Sequence, residues 1–484
     1  MPPRHCLGQL PLRPALLPAP CLQRPQFLAA ASFSTSAAKL KNPNQKKGNS
    51  TAGPPKKGVK GLRIKKNAAS RESGRRPAPG ERKQQRKRIV LSNTNALEVP
   101  GLQDLKAEDI GDAHIQGKVL GIPMDPVVDQ LRAVDAFKSN QGWGLFRRPA
   151  MLVRRETVEL GKLVSAVHGE GASAGEKRSF RKIIHGDRAS GKTTLLLQAM
   201  TMAFLKRWVV INFPDAMELT IGHTAYAPLD GTSPTQYFQK NYTASLLGQI
   251  VKANEKVLEN LKLTKKHTLP VALKEDTTLL QLAQLGAKDA DVAWPVLQAF
   301  WKELTAPSNN EEGKEAFARP PVMVCLDNVS FIMNNTEYID RDAKPIHAHD
   351  FVLVRHFVNL LNGTAKLPNG GMVLAATSGS NSPKSNALDF AIETIEARQA
   401  GATDLPTWNP YKNIDERSLS ALSNADALKV KGLSREEARA IMEYYAQSGM
   451  MRRTVDENLV SEKWTVSGGG IIGELERATV KYRI

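Results

Sequence analysis

An eight-residue segment between a strand pattern and a helix pattern constrains this chain more than any other feature. Residues 186–193 read Gly-Asp-Arg-Ala-Ser-Gly-Lys-Thr and fit the pattern G-x-x-x-x-G-K-[ST]. An apolar strand pattern at 182–185 precedes the segment, and a helical pattern at 192–205 follows it. In this context backbone amides and the helix N-terminus direct positive dipoles toward a phosphate group. The sequence therefore predicts a nucleotide-binding P-loop.

The residue types at these positions match the chemistry that a triphosphate requires. Gly186 ends the strand in a tight turn, and Gly191 lets the backbone approach the phosphates without a Cβ clash. Lys192 is expected to neutralise the β and γ phosphates, and the Thr193 hydroxyl to ligate Mg²⁺. The predicted nucleotide-binding residues are Gly186, Asp187, Arg188, Ala189, Ser190, Gly191, Lys192, Thr193 and Thr194.

Two later strand patterns end in polar residues that could complete this site. Asp327 follows the apolar run 322–326 and is predicted to hold the magnesium through water, as a Walker B aspartate does. Thr377 and Ser378 close the next apolar strand. They are candidates for sensing the γ-phosphate, although they could equally cap a turn.

The spacing of apolar runs indicates the fold class. Runs at 208–213, 322–326 and 372–377 alternate with helical patterns, which is typical of a parallel α/β sheet covered on both faces. The predicted parts are a 91–179 N-terminal extension, a 180–383 nucleotide-binding domain with a helical insertion at 231–318, and a mostly helical 384–484 C-terminal domain.

The first 36 residues have the composition of a mitochondrial transit peptide. They contain Arg4, Arg13 and Arg24 and no acidic residue, and they end in a Ser- and Thr-rich stretch. A merely disordered terminus is the alternative. Beyond this segment Cys325 is the single cysteine of the sequence, which suits a reducing compartment such as the mitochondrial matrix. No stretch reaches the 18 or more apolar residues of a membrane span.

A basic arm at 37–90 carries nearly all of the excess charge of the chain. The whole sequence has a formal net charge of +19, and this arm holds 18 basic and 2 acidic residues without an aromatic side chain. Such a segment is predicted to be disordered and to contact RNA through phosphates, because base stacking is unavailable to it. A solvated tail that binds nothing is the alternative.

The residues that catalyse hydrolysis are harder to find. Asn328 occupies the position where additional-strand ATPases usually have Glu, and an amide cannot act as a base. Arg355 could serve as an arginine finger, but a helix-surface role is the simpler interpretation. Turnover is therefore expected to be slow or absent, and no catalytic residue is assigned. The alternatives are an ATPase motor or remodeller acting on mitochondrial nucleic acid, which would release phosphate at about 1 per second or faster, and a small-molecule kinase.

Four segments resemble the death-associated protein 3 family, the GTP-binding protein of the mitochondrial ribosomal small subunit. They are 148–154 (Arg-Pro-Ala-Met-Leu-Val-Arg), 208–216 (Trp-Val-Val-Ile-Asn-Phe-Pro-Asp-Ala), the strand ending in Asp327, and 433–438 (Leu-Ser-Arg-Glu-Glu-Ala). The resemblance covers roughly 140–484, except for 231–318, and its most specific part is Pro-Asp-Ala at 214–216.

The resemblance implies an additional-strand P-loop fold related to AAA+ ATPases. It also implies a place in the head of the small subunit near the bridges to the large subunit, with contacts to ribosomal RNA and other mitochondrial ribosomal proteins. The implied ligands are GTP or GDP with Mg²⁺. The sequence lacks an Asn-Lys-x-Asp element for reading guanine, so ATP stays an alternative. We therefore expect a structural ribosomal protein that supports mitochondrial translation.

The basic arm gives a first testable prediction. Deleting 37–90 should weaken association with RNA, and the loss should be largest at low salt because phosphate contacts release counterions. Nucleotide affinity should stay unchanged. RNA binding of the full chain and of the deletion variant at several salt concentrations would check this, and equal binding by both would contradict it.

Overall fold

The computed structural model describes residues 89–167, 177–271, 273–274, 276–308, 318–380 and 382–481. The predicted transit peptide and all but the last two residues of the basic arm lie outside the described residues. Within the described ranges, no helix is both long enough and apolar enough to cross a bilayer.

Strands and helices are interspersed along the described residues. The strands are β1 (Val119–Gly121), β2 (Ala150–Leu152), β3 (Ser179–Gly186), β4 (Val209–Phe213), β5 (Ala227–Leu229), β6 (Gln236–Phe238), β7 (Val322–Asp327), β8 (Asn335–Ile339), β9 (Pro345–His347), β10 (Gly371–Ala376) and β11 (Asp426–Val430). The helices are α1 (Asp129–Ala133), α2 (Arg155–Ala166), α3 (Lys192–Leu205), α4 (Met217–Thr220), α5 (Lys240–Leu258), α6 (Leu279–Lys288), α7 (Ala293–Leu304), α8 (Val352–Leu361), α9 (Asn386–Gln399), α10 (Glu416–Ala421), α11 (Arg435–Gln447), α12 (Glu457–Val466) and α13 (Ile472–Glu476).

A five-stranded parallel sheet in the order β11-β3-β10-β7-β4 forms the centre of the molecule. The predicted parallel α/β sheet is thereby confirmed. In a parallel sheet all strands end at the same edge, so the residues that follow β3, β4, β7 and β10 lie along one edge. The remaining strands form three antiparallel pairs, β1 with β2, β5 with β6 and β8 with β9.

Each face of the sheet has its own apolar core, because successive strand residues point to opposite sides. In β7, Val324 and Leu326 pack with α5 to α9 on one face, whereas Met323 and Cys325 pack with α1, α2 and α3 on the other. This double burial explains why the strands read as continuous apolar runs. Burial also raises the pKa of the Cys325 thiol.

Strand β4 forms one edge of the sheet, and a helix covers its exposed backbone. The amide of Asn254 in α5 accepts a hydrogen bond from Val210 N at 2.8 Å and donates one to Val210 O at 2.9 Å. An unpaired strand edge would invite association with other chains. Asn254 therefore satisfies the outward-facing backbone groups of Val210 from within the molecule.

The structure corrects the sequence analysis at two places. The fifth strand, β11, lies beyond residue 383, in the part predicted to be a mostly helical domain, so the sheet extends past that boundary. The insertion predicted to be helical also contains a strand, β6, which pairs with β5 before helix α5 begins at Lys240. The residues after α5 are not helical, because their backbone pairs with a later segment. Leu263 N donates to Thr277 O at 3.3 Å, and Lys262 forms a β-bridge with Thr278.

Candidate functional site

The loop between β3 and α3 adopts backbone angles that need its glycines. Gly186 has φ +138° and Gly191 has φ +97°, both in the region that L side chains rarely adopt. A Cβ atom at Gly186 would lie 2.4 Å from the carbonyl oxygen of Val430 in β11. The close approach of β11 therefore requires glycine here, independently of any ligand.

Lys192, the first residue of α3, lies buried inside the loop. Its Nζ donates hydrogen bonds to the carbonyl oxygens of Gly186 at 2.9 Å and Asp187 at 2.6 Å, with Ser190 Oγ at 3.5 Å. Burial lowers the pKa of Lys192, against the opposing influence of the carboxylates of Asp187 and Asp327. The ammonium group thus sits among the atoms that would surround a phosphate, while Asp187 and Arg188 are exposed on the outer side of the loop.

Thr193 and Asp327 meet although they are far apart in the sequence. Thr193 Oγ1 donates to Asp327 Oδ2 at 2.9 Å. Burial raises the pKa of Asp327, and the carboxylate of Asp215 adds to this, whereas Lys138 and the bond from Thr193 oppose it. This half-buried hydroxyl–carboxylate pair offers the hard oxygen ligands that Mg²⁺ prefers.

A second carboxylate, Asp215, lies at the same sheet edge after β4. Its Oδ1 accepts hydrogen bonds from Met217 N at 3.0 Å and from Asn328 Nδ2 at 3.2 Å. The Asn328 Oδ1 accepts a bond from Ser382 Oγ at 2.9 Å. The backbone of Asn328 adopts a left-handed conformation, with φ +66°. Its side chain is held on both sides, by Asp215 and by Ser382. Its amide cannot take a proton from water.

The two sensor candidates at the end of β10 lie in different environments. Thr377 N and Oγ1 both donate to the Ile184 carbonyl oxygen in β3, at 2.9 and 3.4 Å. The Ser378 hydroxyl donates to Ser380 O at 3.3 Å. Thr377 thus joins the strand ends beside the loop, and Ser378 stabilises the following turn. This geometry is compatible with both roles, sensing of a γ-phosphate and capping of a turn.

Segments from both ends of the described chain contact the loop. Arg154 Nη1 donates to Ser190 O at 2.7 Å, and its Nη2 also donates to the carbonyl of Lys431. Near the C-terminus, Gly473 N donates to Ala189 O at 3.0 Å. A Cβ at Gly473 would lie 2.8 Å from Ala189 Cβ, so this approach also depends on glycine.

A small cavity of about 30 Å³ lies between these contacts and the start of α3. Its lining includes Thr194, the last predicted loop residue, together with Leu152, Glu156 and Ile472. Arg355, considered as an arginine finger, instead lines a separate cavity with Trp301, and no loop residue contributes to that lining.

Sequence reasoning missed several residues that surround the loop. Asp215 could have been found, because it follows an apolar strand just as Asp327 does. Lys138 donates from Nζ to Pro214 O at 2.5 Å from a loop without a recognisable pattern. The contacts of Arg154 and Gly473 join positions separated by much of the chain, and only the folded structure reveals them.

Comparison with known proteins places these features in a family. Residues 151–478 match the model of the family described as mitochondrial ribosomal death-associated protein 3. A Neurospora crassa protein called small ribosomal subunit protein mS29 is 45% identical over 418 residues, covering 86% of this chain and 85% of its own. A Schizosaccharomyces pombe protein of the same name is 25% identical over 393 residues, covering 79% and 75%. The chain therefore belongs to the mitochondrial ribosomal death-associated protein 3 family.

Proposed function

We propose that this protein is a structural component of the mitochondrial small ribosomal subunit that holds a purine nucleotide and Mg²⁺ in the matrix, with GTP favoured over ATP. The two fungal relatives are named as small ribosomal subunit proteins, and they align over more than three quarters of this chain. A role in the ribosome accords with the basic arm, whose charge suits contacts with ribosomal RNA and whose neighbours would be other ribosomal proteins.

The observation that carries the nucleotide proposal is the bond from Thr193 to Asp327 beside the buried ammonium of Lys192. Mg²⁺ at this position would be held by the Thr193 hydroxyl directly and by Asp327 through water. When bound, the ion would neutralise phosphate charge. It would also compensate the buried carboxylate of Asp327, whose pKa is raised without it. The residues therefore fit the metal.

The strand order supports the same assignment. Strand β10 lies between β3, which leads into the loop, and β7, which ends in Asp327. An inserted strand at this position is the defining feature of the additional-strand P-loop class that the family resemblance implies. The insertion aligns Ala376 with both Ile184 and Asp327, so β10 and β7 end level with each other, two residues before the end of β3.

A static nucleotide accords better with this site than rapid hydrolysis does. The side chain of Asn328 is engaged by Asp215 and Ser382, and its amide supplies no base. A ligand that binds only the folded state stabilises it by about 4 kcal/mol when its concentration is a thousandfold above Kd. The nucleotide would therefore act as a folding cofactor. Its effect would extend to the N- and C-terminal segments that contact the loop through Arg154 and Gly473.

Replacing Lys192 tests the nucleotide site. Lys192→Ala should weaken GTP binding by roughly 10- to 100-fold, because one charge-assisted hydrogen bond contributes about 1.5–3 kcal/mol. The variant should also enter the small subunit in lower yield. Titration calorimetry and sedimentation of mitochondrial ribosomes measure the two effects. Lys206→Ala, at the exposed C-terminal end of the same helix, is the matched control. Normal assembly of the Lys192 variant would defeat the cofactor proposal.

Replacing Asp327 should separate stability from binding. When a carboxyl group has a higher pKa in the folded than in the unfolded protein, the protein loses stability as pH rises through the range between these two pKa values. The loss of stability persists at neutral pH. Asp327→Asn should therefore raise the free energy of unfolding of the nucleotide-free protein at neutral pH. Added GTP and Mg²⁺ should then raise its melting temperature much less than that of the parent. An unchanged response to Mg²⁺ would remove Asp327 from the metal site.

The bound molecule itself can be identified. Acid release from purified native small subunits, followed by mass spectrometry, should yield GTP or GDP in a near one-to-one ratio with this protein. Release of an adenine nucleotide would show that the bound base is adenine instead of guanine, and the proposed nucleotide site would still stand. If a Lys192→Ala particle released the same amount, the nucleotide would belong to another ribosomal component.

A further inference from the structure

A cavity of about 360 Å³ lies between α7 and α8, away from the P-loop. Its volume falls within the range of about 300–1,000 Å³ that small-ligand sites occupy. Helix α7 belongs to 231–318, the insertion that the sequence predicts to be helical. The side chains that matter below are two tryptophans, two cations, a histidine and an amide: Trp294, Trp301, Lys302, Arg355, His356 and Asn359. We call these six residues the tryptophan groove.

Helix periodicity places the aromatic residues of the groove together. Trp294 and Trp301 are seven residues apart, which is two turns, so they lie on one side of α7. The ring of His356 in α8 packs edge-on against Trp301, with centroids 4.4 Å apart and an interplanar angle of 88°. Burial lowers the pKa of His356 to about 4. The imidazole is therefore neutral at physiological pH and adds an aromatic wall.

The charges of the groove are all positive. Lys302 and Arg355 contribute cations, and the lining of the cavity contains no carboxylate. Across the part of the chain that the structure describes, neither the Lys302 ammonium nor the Arg355 guanidinium forms an ion pair, and the Asn359 side-chain amide has no hydrogen-bond partner. Unengaged polar groups that converge on a concave apolar surface are typical of a binding site.

The groove continues along α8 into a second cavity of about 240 Å³. Arg355 and Asn359 line both cavities and therefore stand at the junction. In the second cavity Arg417 is already paired with Asp350, whose oxygens lie 3.1 and 3.2 Å from Nη1. Arg355 is thus the cation that remains available between the two spaces.

We propose that the tryptophan groove binds a single-stranded segment of ribosomal RNA. One unstacked base packs against Trp294 and Trp301, its phosphate lies at Arg355 and Lys302, and the next nucleotide continues toward the second cavity. This inference rests on the proposed ribosomal function. It gives a binding role to α7 and α8, which take no part in the proposed nucleotide site.

Charge and hydrogen bonding favour RNA over a protein segment. An apolar side chain of a neighbouring protein would fill the cavity, but it would leave two cations and an amide without partners. A nucleotide satisfies all of them, because its base offers a flat aromatic face and polar edges and its phosphate carries the negative charge. An acidic peptide would engage the cations but would not match the paired tryptophans.

Stacking distinguishes this site from the basic arm. The arm has no aromatic residue, so its contacts with RNA should disappear steeply as salt rises. Base stacking depends little on ionic strength. Binding that survives at about 0.3 M salt, where phosphate-only contacts are strongly weakened, should therefore report on the groove.

The test uses the full chain and a fluorescent eight-nucleotide single-stranded RNA that carries 4-thiouridine, at about 0.3 M salt. Photocrosslinking followed by mass spectrometry should place the RNA on α7 or α8. The double variant Trp294→Ala/Trp301→Ala should lose at least about fivefold in affinity, because base–aromatic stacking is worth about 1–3 kcal/mol per base. Trp301→Phe should retain most of the affinity.

Two further variants keep the test valid if the double tryptophan variant folds poorly. Lys302→Gln and Arg355→Gln remove charge without emptying the core, and each should weaken RNA binding while leaving GTP affinity unchanged. Lys256→Gln, at an exposed lysine of α5, is the matched control and should have no effect. Reduced GTP affinity in the groove variants would indicate a general folding defect and would count against a local RNA site.

Three results would overturn the inference. The first is an RNA affinity of the tryptophan and cation variants equal to that of the parent protein. The second is a set of RNA crosslinks confined to segments outside α7 and α8. The third is crosslinking of α7 to a neighbouring protein in native small subunits. In each case the chain could still sediment with the small subunit and bind GTP, so the proposed function would stand. Failure to sediment with the particle would instead contradict the proposed function itself.

Discussion

The bond from the Thr193 hydroxyl to the Asp327 carboxylate is the contact on which the interpretation of this molecule depends. It joins the start of α3 to the end of β7 across a sheet edge where apolar cores close both faces. Burial makes the charged form of Asp327 unfavourable, so a bound cation would stabilise that form. The Lys192 ammonium donates its hydrogen bonds to carbonyl oxygens of the loop. A bound phosphate would replace these oxygens as the hydrogen-bond acceptor.

Contacts between distant segments make the loop part of the whole fold. Arg154 precedes α2 and reaches both the loop and the chain after β11, and Gly473 approaches the loop from α13. Both contacts involve backbone carbonyls of the loop, the atoms whose positions shift if the loop reorganises around a phosphate. A nucleotide at this position would therefore stabilise the terminal segments as well as the sheet. Through such coupling a bound nucleotide would contribute to the stability of the protein without any need for hydrolysis.

The sequence predicted the centre of the molecule well, because local patterns determine it. Doubly buried strands are continuous apolar runs, and the glycine and lysine spacing of the loop has a direct geometric cause. The meeting of Thr193 with Asp327 followed from the rule that parallel strands end at one edge. Strand β11 was missed because its burial pattern alternates, and its Asp426 and Lys429 interrupt the apolar run. The approach of Gly473 could not be predicted, since no local pattern encodes a contact over nearly three hundred residues.

The distribution of charge separates three tasks along this chain. The basic arm carries most of the net charge and, under the proposed function, would bring the molecule to RNA from a distance, but it has no aromatic side chain on which a base could stack. The loop at 186–193 holds the Lys192 ammonium close to the Asp327 carboxylate, an arrangement suited to one small anion with its metal. The tryptophan groove combines a few cations with aromatic surface, which makes it selective for unpaired nucleotides over duplex RNA. Attraction by the arm followed by stacking in the groove would let one protein first find and then fix its place on a folded RNA.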